Sequence, residues 1–249
     1  MMRTRVTKER LDVLLVRRGF FESRERAQRA VMAGDVTVGG QVALKCGTVY
    51  GVDAVIEVRA PARYVGRGGF KLEGALDGFG VDAKGWTCLD IGASTGGFTD
   101  CLLQHGAERV YAVDVGHSQL DWRIRSNPRV VVKEHLNARY LSGEDVPEVI
   151  DLVVIDVSFI SLTLILGPAL ERVRSGGLVI PLIKPQFELR REDVARGGVV
   201  RDPELHVRAV SRVRDYVSGL GGVEWLGEMC SPITGGDGNV EFLALLRKG

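Results

Sequence analysis

The sequence predicts an α/β protein in which a small N-terminal α+β module precedes a Rossmann-like, mostly parallel sheet with an antiparallel last strand. Beyond residue 85, apolar runs with strand character alternate with helical segments, as in sheets covered by helices on both faces. A glycine-rich turn follows the first of these runs, where such sheets bind ligands. Residues 1–65 carry 12 Lys and Arg against 7 Asp and Glu, whereas the rest carries 21 against 25. The small module is therefore basic and the large one slightly acidic, and the charge alone fits either a polyanionic partner for the first module or a merely solvated basic face.

The composition is that of an ordinary globular protein, with 249 residues, 45% hydrophobic and 26% charged. The four cysteines form no C-x-x-C pair, which disfavours a zinc site or a disulfide scaffold. The N-terminus lacks the apolar core of a signal peptide. The most apolar stretch, residues 150–170, is interrupted by Asp151 and Asp156, and its uninterrupted part is shorter than the ~20 residues of a membrane span. We expect a cytoplasmic protein without stable membrane association, and the sequence leaves its oligomeric state open.

Two helices and a small sheet are predicted for the first 60 residues. Leucines at helical spacing form the first helix, which ends at Gly19. Ser23 stands where a helix N-cap belongs, and the second helix ends near Gly34. An alternating segment then turns at Gly39-Gly40, and residues 55–59 form the last strand.

This first segment resembles the S4 RNA-binding domain. The matching residues are Arg10-Leu11-Asp12, Gly19, Ser23-Arg24, Ala27, Gly34, Val36, Val38, Gly40 and Lys45. The resemblance implies that Arg10, Arg24, Arg26 and Lys45 bind RNA, through phosphate contacts that weaken as salt rises. In the alternative interpretation Arg24 only braces the fold and the other side chains are solvated.

A linker is predicted at residues 61–69, and a larger module at residues 70–249. Its strands are predicted at residues 86–92, 109–116, 130–134, 151–157, 176–184 and 240–249. We interpret the last of these as a closing edge strand.

The turn after the first strand of the large module carries the pattern D-x-G-x-x-x-G-G. It lacks the second glycine of dinucleotide-binding turns and the lysine of P-loops, which disfavours both of those classes. The pattern resembles the first motif of methyltransferases that bind S-adenosylmethionine. The residues predicted to bind the cofactor here are Asp90, Gly92, Ser94, Gly96, Gly97 and Phe98. A side chain at Gly96 is expected to occupy space that the cofactor needs.

Further cofactor contacts are predicted at the ends of the next strands. Asp114, with the adjacent Val115, stands where an acidic residue can accept both hydroxyls of a ribose. Asn137, after the third strand, is placed to meet the adenine ring. Together with Asp90 and Asp114, Asp156 suits the positive sulfonium of S-adenosylmethionine.

Four ionisable residues occupy places where apolar or turn residues are the default. Lys71 begins the helix before the first strand, Asp156 ends the fourth strand, Lys184 ends the fifth and Glu241 opens the last. Strand carboxyl ends meet at one edge of a parallel sheet, so Asp156 and Lys184 should lie side by side. An antiparallel last strand would bring Glu241 to the same edge. Each lysine–acid pair taken alone could be a surface ion pair, but four such residues at one edge predict a catalytic site.

The four residues resemble the Lys-Asp-Lys-Glu arrangement of the FtsJ-like ribose 2′-O-methyltransferases. With the S4 segment in front, nearly the whole chain resembles the TlyA family, also labelled hemolysin A. The motifs that carry the resemblance are STGGFTD, VDVGHSQL, DVSFISL, KPQFE, GGVVRDP and GNVEF. The resemblance implies methylation of cytidine 2′-hydroxyls in ribosomal RNA. The short chain ends are similar to those of the shorter members, which favours 23S RNA, with 16S RNA as the alternative.

The chemistry assigns roles to these side chains. A 2′-hydroxyl is a poor nucleophile until its proton is lost or shared, whereas the sulfonium methyl group is already activated, so no metal is required. Lys184 is predicted to accept the proton or to orient the hydroxyl, and a lysine serves as a base only when it is neutral. Asp156 and Glu241 should fix the lysine ammonium groups, and Lys71 should hold the target ribose or phosphate. The segment 188–203 is interpreted as a mobile substrate loop or a solvated connector.

Three other functions compete with this hypothesis. A membrane-active haemolysin would need a spanning or basic amphipathic segment, and neither is evident. A non-catalytic RNA-binding assembly factor is disfavoured because all four catalytic residues are present. A pseudouridine synthase can also carry an S4 segment, but the glycine-rich cofactor motif argues against that class.

Overall fold

A computed structural model describes residues 7–59 and 62–249 of the chain. The chain divides into two compact units, Met1–Arg63 and Tyr64–Gly249. Positions 1–6, and positions 60 and 61 at the start of the predicted linker, lie outside the described residues. The linker positions from residue 64 onward belong to the second unit, where the Tyr64 side chain is buried.

The first unit contains two short helices and two small antiparallel sheets. The elements are β1 (Lys8–Arg10), α1 (Leu11–Arg17), α2 (Arg24–Met32), β2 (Val36–Val38), β3 (Gln41–Val42), β4 (Val49–Gly51) and β5 (Ile56–Val58). Strand β2 lies between β3 and β5, and β1 pairs with β4. The predicted cap is confirmed, because the Ser23 hydroxyl accepts a hydrogen bond from the backbone N–H of Arg26. Leucines of α1 pack against Ala27 and Val31 of α2 in a core of their own.

The second unit is a three-layer α/β structure. Its helices are α3 (Gly68–Phe79), α4 (Gly97–Gln104), α5 (Trp122–Arg125), α6 (Leu166–Arg172), α7 (Pro185–Glu188) and α8 (Pro203–Gly219). Its strands are β6 (Thr87–Ile91), β7 (Arg109–Val113), β8 (Val130–Lys133), β9 (Ile150–Ile155), β10 (Val173–Ile183), β11 (Val223–Cys230) and β12 (Phe242–Lys248). Single 3-10 turns occur at Ala138–Tyr140, Leu162–Leu164 and Arg191–Asp193.

Seven strands form one sheet in the order β11-β12-β10-β9-β6-β7-β8. Strands β6 to β10 run parallel, whereas β12 is antiparallel to β10 and β11 is antiparallel to β12. The predicted α/β class, the mostly parallel sheet and the antiparallel last strand are therefore confirmed. Side chains alternate between two apolar cores, so that Leu152 and Val154 of β9 face one layer and Val153 and Ile155 face the other.

The prediction that residues 240–249 form the edge strand is wrong. Strand β12 lies inside the sheet, and the edge strand is β11, which the sequence analysis missed. The physical reason is visible in the side chains. Strand β12 has a continuous buried apolar run, which is typical of interior strands, whereas β11 carries Glu224 and Glu228 and is largely solvent-facing.

The strand register brings the predicted site residues to one edge. Ile91 of β6 is paired with Ile155 of β9, so Gly92 and Asp156 leave their strands at the same level. Ile183 of β10 faces Phe242 of β12, which places Lys184 beside Glu241 at that edge. Over the part of the chain that the structure describes, no helix has the length and apolar character needed to span a bilayer.

Candidate active site

Backbone strain marks the carboxyl edge of the parallel strands. Within residues 7–59 and 62–249, four residues other than glycine have positive φ: Ser94, Ser118, His135 and Phe159. They follow β6, β7, β8 and β9 respectively, one in each loop. Because such conformations persist only where the surroundings impose them, and cluster at functional sites, this edge is the candidate active site.

The glycine-rich turn between β6 and α4 depends on a close backbone approach at Gly92 and on hydrogen bonds to Asp114. Gly92 has a φ of 87°, and a Cβ atom there would collide with the main-chain oxygen of Asp156. The Asp114 carboxylate accepts hydrogen bonds from the backbone N–H of Ser94 at 2.8 Å and of Gly116 at 2.7 Å. Asp114 therefore links the end of β7 to the turn after β6, while each of its oxygens retains acceptor capacity for a ligand.

Two adjacent cavities border this turn. The larger measures about 310 Å³ and is lined in part by Gly92, Ser94, Asp114, Val115, Asn137 and Asp156. The smaller measures about 170 Å³ and is lined in part by Gly92, Ser94, Gly97, Phe98 and Asp156. The structure therefore gathers most of the predicted cofactor residues around two neighbouring cavities of ligand size. The Asn137 side chain also caps a turn by accepting from the backbone N–H of Arg139.

Asp90 and Gly96 lie behind the turn and line neither of these cavities. The Asp90 carboxyl is fully buried and accepts a 2.6 Å hydrogen bond from the Thr99 hydroxyl, and burial raises its pKa to about 7. That a side chain at Gly96 would occupy cofactor space stays a prediction. A Cβ atom there would also lie 2.9 Å from Leu120 Cδ1, so a side chain would already meet the protein's own core.

The four predicted catalytic residues form two ion pairs, of which three members are buried. Lys184 Nζ lies 2.6 Å from Asp156 Oδ1, and Lys71 Nζ lies 2.5 Å from Glu241 Oε2. Only 9% of Lys184, 8% of Lys71 and 3% of Glu241 is exposed, whereas the Asp156 side chain is 21% exposed. Buried lysine charges are costly unless paired, so each acid compensates one lysine and fixes its ammonium in place.

Two residues beside this pair were not predicted as site residues. The Ser158 hydroxyl accepts a 3.0 Å hydrogen bond from Lys184 Nζ, whereas the contact of Lys184 with Asp156 Oδ1 is an ion pair without hydrogen-bond geometry. Phe159 is 91% exposed at the mouth of the larger cavity, and its ring lies 5.1 Å from that of Phe187. The only signal in the sequence was the DVSFISL segment, which was used for family resemblance and not for individual roles.

The segment 188–203 contacts other parts of the second unit. Asp193 forms an ion pair with Arg208 of α8. The buried Asn239 side chain donates to the Gly198 carbonyl at 3.0 Å and accepts from the Val200 N–H at 2.9 Å. These contacts connect the segment to α8 and to the loop before β12, and its mobility stays a prediction.

In the first unit, the predicted RNA-binding arginines surround one buried acid. Asp12 has no exposed surface and accepts hydrogen bonds from Arg10, Arg24 and Gln28. The Arg10 bond is the main cause of the lowered pKa of the Asp12 carboxyl. The side chains of Arg10 and Arg24 remain 50% and 54% exposed, so they brace the fold and still offer charge to solvent.

The other two predicted RNA-binding residues lie apart from this cluster. Arg26 pairs with the exposed Glu22 at 2.6 Å, and Lys45 is exposed. Both can meet a polyanion without disturbing buried contacts.

The sheet, its glycine-rich turn, the cavities and the buried lysine–acid pairs together define an enzyme of the Rossmann-like methyltransferase class. Profiles of known families agree with this conclusion. The FtsJ-like methyltransferase profile matches residues 64–248, and the S4 domain profile matches residues 9–56. This chain belongs to the FtsJ-like methyltransferase family, in the group with an N-terminal S4 domain that contains TlyA and hemolysin A.

Individual relatives match over most of the chain. The 16S/23S rRNA (cytidine-2′-O)-methyltransferase TlyA of Mycobacterium tuberculosis is 44% identical, over 96% of this chain and 89% of the relative. Hemolysin A of Brachyspira hyodysenteriae is 43% identical, over 94% of this chain and 98% of the relative. A solved structure from Streptococcus thermophilus, provisionally named a hemolysin, has a TM-score of 0.72 at 44% identity, covering 98% of this chain and 90% of that one.

Proposed function

We propose that this protein transfers the methyl group of S-adenosylmethionine to the ribose 2′-hydroxyl of a cytidine in ribosomal RNA. The observation that carries the proposal is the pair of buried lysine–acid contacts beside the glycine-rich turn. Lysines held in place at a sheltered edge can orient and deprotonate a hydroxyl, which is the one step that a sulfonium methyl donor does not supply. The cytidine and the 2′-oxygen rest on the name of the Mycobacterium tuberculosis relative.

The residues around the two cavities fit S-adenosylmethionine. Asp114 has free acceptor capacity for two ribose hydroxyls, and Asn137 and Val115 line the same cavity, where the adenosine would lie. Gly97 and Phe98 line the smaller cavity, which suits the methionine part. Asp156 borders both cavities and so lies near the positive sulfonium in this arrangement. Asp90 supports the turn from behind through Thr99. When bound, the cofactor supplies the activated methyl group.

The four catalytic side chains remove the hydroxyl proton and hold the target nucleotide. Lys184 donates one N–H to Ser158 and forms an ion pair with Asp156, and its remaining donor capacity serves to hold the target hydroxyl. The hydroxyl proton passes to the Lys184–Asp156 pair, with Asp156 accepting a lysine proton across their 2.6 Å contact. Lys71, fixed by Glu241, holds the ribose or an adjacent phosphate.

The first unit supplies RNA affinity in this proposal. Its exposed basic side chains, Arg10, Arg24, Arg26 and Lys45, are suited to phosphate contacts, which position an RNA without reading its sequence. The substrate RNA would then be chosen by its folded shape and by the accessible cytidine. We take 23S RNA as the first candidate substrate and 16S RNA as the second. The name of the Mycobacterium tuberculosis relative includes both.

Mapping of methyl groups tests the proposal directly. Purified protein and labelled S-adenosylmethionine are incubated with 50S and 30S subunits from cells that lack the gene, and the RNA is cut into defined fragments whose nucleosides are then analysed. We expect labelled 2′-O-methylcytidine from a single region of one or both RNAs. Label in a base, or no label with either subunit, would contradict the proposal. Leakage of dye from liposomes by the purified protein alone would instead support the hemolysin names of the relatives.

A further inference from the structure

Two neighbouring turns at the carboxyl edge carry the Lys184–Asp156 pair. One turn follows β9 and runs from Asp156 to Leu162, and the other is α7, which follows β10. Lys184 Nζ joins the two turns through its contacts with Asp156 and Ser158. A second connection joins the same two turns, and it is made by the buried Glu188 at the end of α7.

The Glu188 carboxylate has both oxygens engaged by the opposite turn. Its Oε1 accepts from the backbone N–H of Leu162 at 2.8 Å, and its Oε2 accepts from the Ser161 hydroxyl at 2.6 Å. Only 1% of Glu188 is exposed. From the other side, Arg212 of α8 donates to the Glu188 main-chain oxygen at 2.5 Å. Glu188 is therefore the point where α7, α8 and the turn after β9 meet.

A carboxylate at this place is not explained by stability alone. Burial raises the pKa of Glu188, against the opposing effect of the bonds from Leu162 and Ser161 and the charge of Arg212. An apolar side chain of similar size commonly stabilises a buried position as well as a paired charge does. What the acid adds is two directed acceptors that fix one turn against the other.

We propose that Glu188, together with Ser161, is a positioning residue for methyl transfer that sets the placement of the Lys184–Asp156 pair. This inference rests on the proposed function. Lys184 is held at its ammonium by Asp156 and Ser158, and its backbone is held one helical turn away by Glu188. Without the second connection, the ammonium keeps its partner but loses its fixed direction toward the target hydroxyl.

The expected effect is on the rate of the chemical step and not on binding. Misplacement of a reacting group by about 1 Å can cost about 100-fold in rate. Glu188 lines neither of the two cavities that we assign to the cofactor, so its removal should leave cofactor affinity unchanged. Gln should restore much of the rate in place of Glu, because its amide oxygen can accept from Leu162 and its amide N–H can donate to the Ser161 hydroxyl.

The test compares Glu188→Ala, Glu188→Gln and Ser161→Ala in the full-length protein. Single-turnover methyl transfer to undermethylated 50S and 30S subunits is measured at saturating subunits and cofactor, and calorimetry gives the S-adenosylmethionine affinity. Glu171→Ala is the matched control, since Glu171 is an exposed residue of α6 that lies outside the segment 188–203 and lines neither cavity. We expect Glu188→Ala to lose about 10- to 100-fold in single-turnover rate, Ser161→Ala less, and Glu171→Ala nothing.

The double variant separates positioning from unrelated damage. If both residues act through the same contact, Ser161→Ala should cost little more once Glu188 is Ala. A wild-type rate in Glu188→Ala, a Glu188→Gln enzyme as slow as Glu188→Ala, or a loss confined to cofactor affinity would each overturn the proposal. If Glu188→Ala does not fold, Ser161→Ala decides: a slower rate at unchanged affinity supports positioning, and a wild-type rate overturns it. Wild-type protein that transfers no methyl group would contradict the proposed function and not this inference.

Discussion

Both units of the molecule join cations to buried acids, but they leave the cations in opposite environments. In the first unit, Asp12 is buried while its partners Arg10 and Arg24 keep about half of their side chains in solvent. In the second unit, Lys184 and its acid are both sheltered at the sheet edge, as are Lys71 and Glu241. Both units therefore use the same kind of pairing, and we propose that exposure of the cation distinguishes the RNA-binding surface of the first unit from the reaction site of the second.

The physical basis is the local dielectric. Exposed charges interact with a polyanion over a long range. Each of these interactions is weak, and salt screens it. Buried charges are screened little and pay no reorganisation when charge develops at the reacting atoms, so their directions matter more than their number. Substitutions in the two units should therefore change different measured quantities.

The largest expected effect is at Lys184. Lys184→Ala should lower the rate of methyl transfer by about 10²–10⁴-fold, which is the usual contribution of a positioned acid–base group. Calorimetry with S-adenosylmethionine and filter binding with ribosomal RNA should show both affinities retained. A comparable loss in either affinity would mean that Lys184 acts in binding, and the comparison between the units would fail.

The next effect is on the stability of the first unit. Asp12→Asn removes the charge that three side-chain donors share, and should destabilise residues 7–59 by about 1.5–3 kcal/mol, the range for hydrogen bonds to a charged group. Hydrogen exchange by mass spectrometry can report this unit separately. Glu22→Gln, in the exposed pair with Arg26, is the matched control and should change nothing measurable.

The same residue predicts a pH dependence. Folding lowers the pKa of the Asp12 carboxyl, and the hydrogen bond from Arg10 is the largest cause. Ionised Asp12 therefore contributes its full stabilisation of the first unit above the pKa of the unfolded state, which is about 4. The stabilisation is lost as the pH falls through the lower folded value. Protection of residues 7–59 in the wild type should therefore weaken below about pH 4, and Asp12→Asn should remove this component. An identical acid profile in both proteins would contradict the role given to Asp12.

A smaller effect is expected for cofactor affinity at Asp114. Asp114→Asn places an N–H group where the carboxylate accepts from Ser94 and Gly116, and it removes an acceptor for the ribose. We expect about tenfold weaker S-adenosylmethionine binding, or roughly 1.4 kcal/mol. Calorimetry at constant pH measures this affinity. An unchanged affinity would show that the ribose of the cofactor does not contact Asp114.

The smallest effect is expected for single cations of the first unit. Lys45→Ala should weaken RNA binding only modestly and lower the slope of log affinity against log salt by about one. Arg24→Ala should do the same and also destabilise the unit, because Arg24 bonds to Asp12. A Lys45→Ala protein with an unchanged salt slope would show that this side chain contacts no phosphate.

Local sequence patterns were sufficient for most of the large sheet. Strand carboxyl ends, the glycine-rich turn and the antiparallel last strand follow from period and turn chemistry, and they brought Asp156, Lys184 and Glu241 to one edge as predicted. Strand β11 was missed because its charged, solvent-facing residues lack the apolar run of an interior strand. Because β11 was not predicted, the interior position of β12 could not be inferred either.

Contacts between distant segments could not be predicted from these patterns. The sequence gives no sign that Glu188 bonds to Ser161, or that Arg10, Arg24 and Gln28 meet on Asp12, since such contacts depend on how separate elements pack. The same limit applies to Gly96, whose neighbours Leu120 and Ile124 come from the loop before α5 and from α5 itself. The residue types indicated that these positions have a role, but the contacts that define each role depend on how the elements pack.

Single-turnover methyl transfer at saturating ribosomal subunits and S-adenosylmethionine tests the central claim most directly, because saturation removes differences in binding. Arg24→Ala should then regain the wild-type rate, since its defect lies in RNA affinity. Lys184→Arg should stay about 10²-fold slower or more, because a guanidinium keeps its proton and cannot share in removing that of the hydroxyl. A near-normal rate for Lys184→Arg, or a slow saturated rate for Arg24→Ala, would contradict the division of work between the two units.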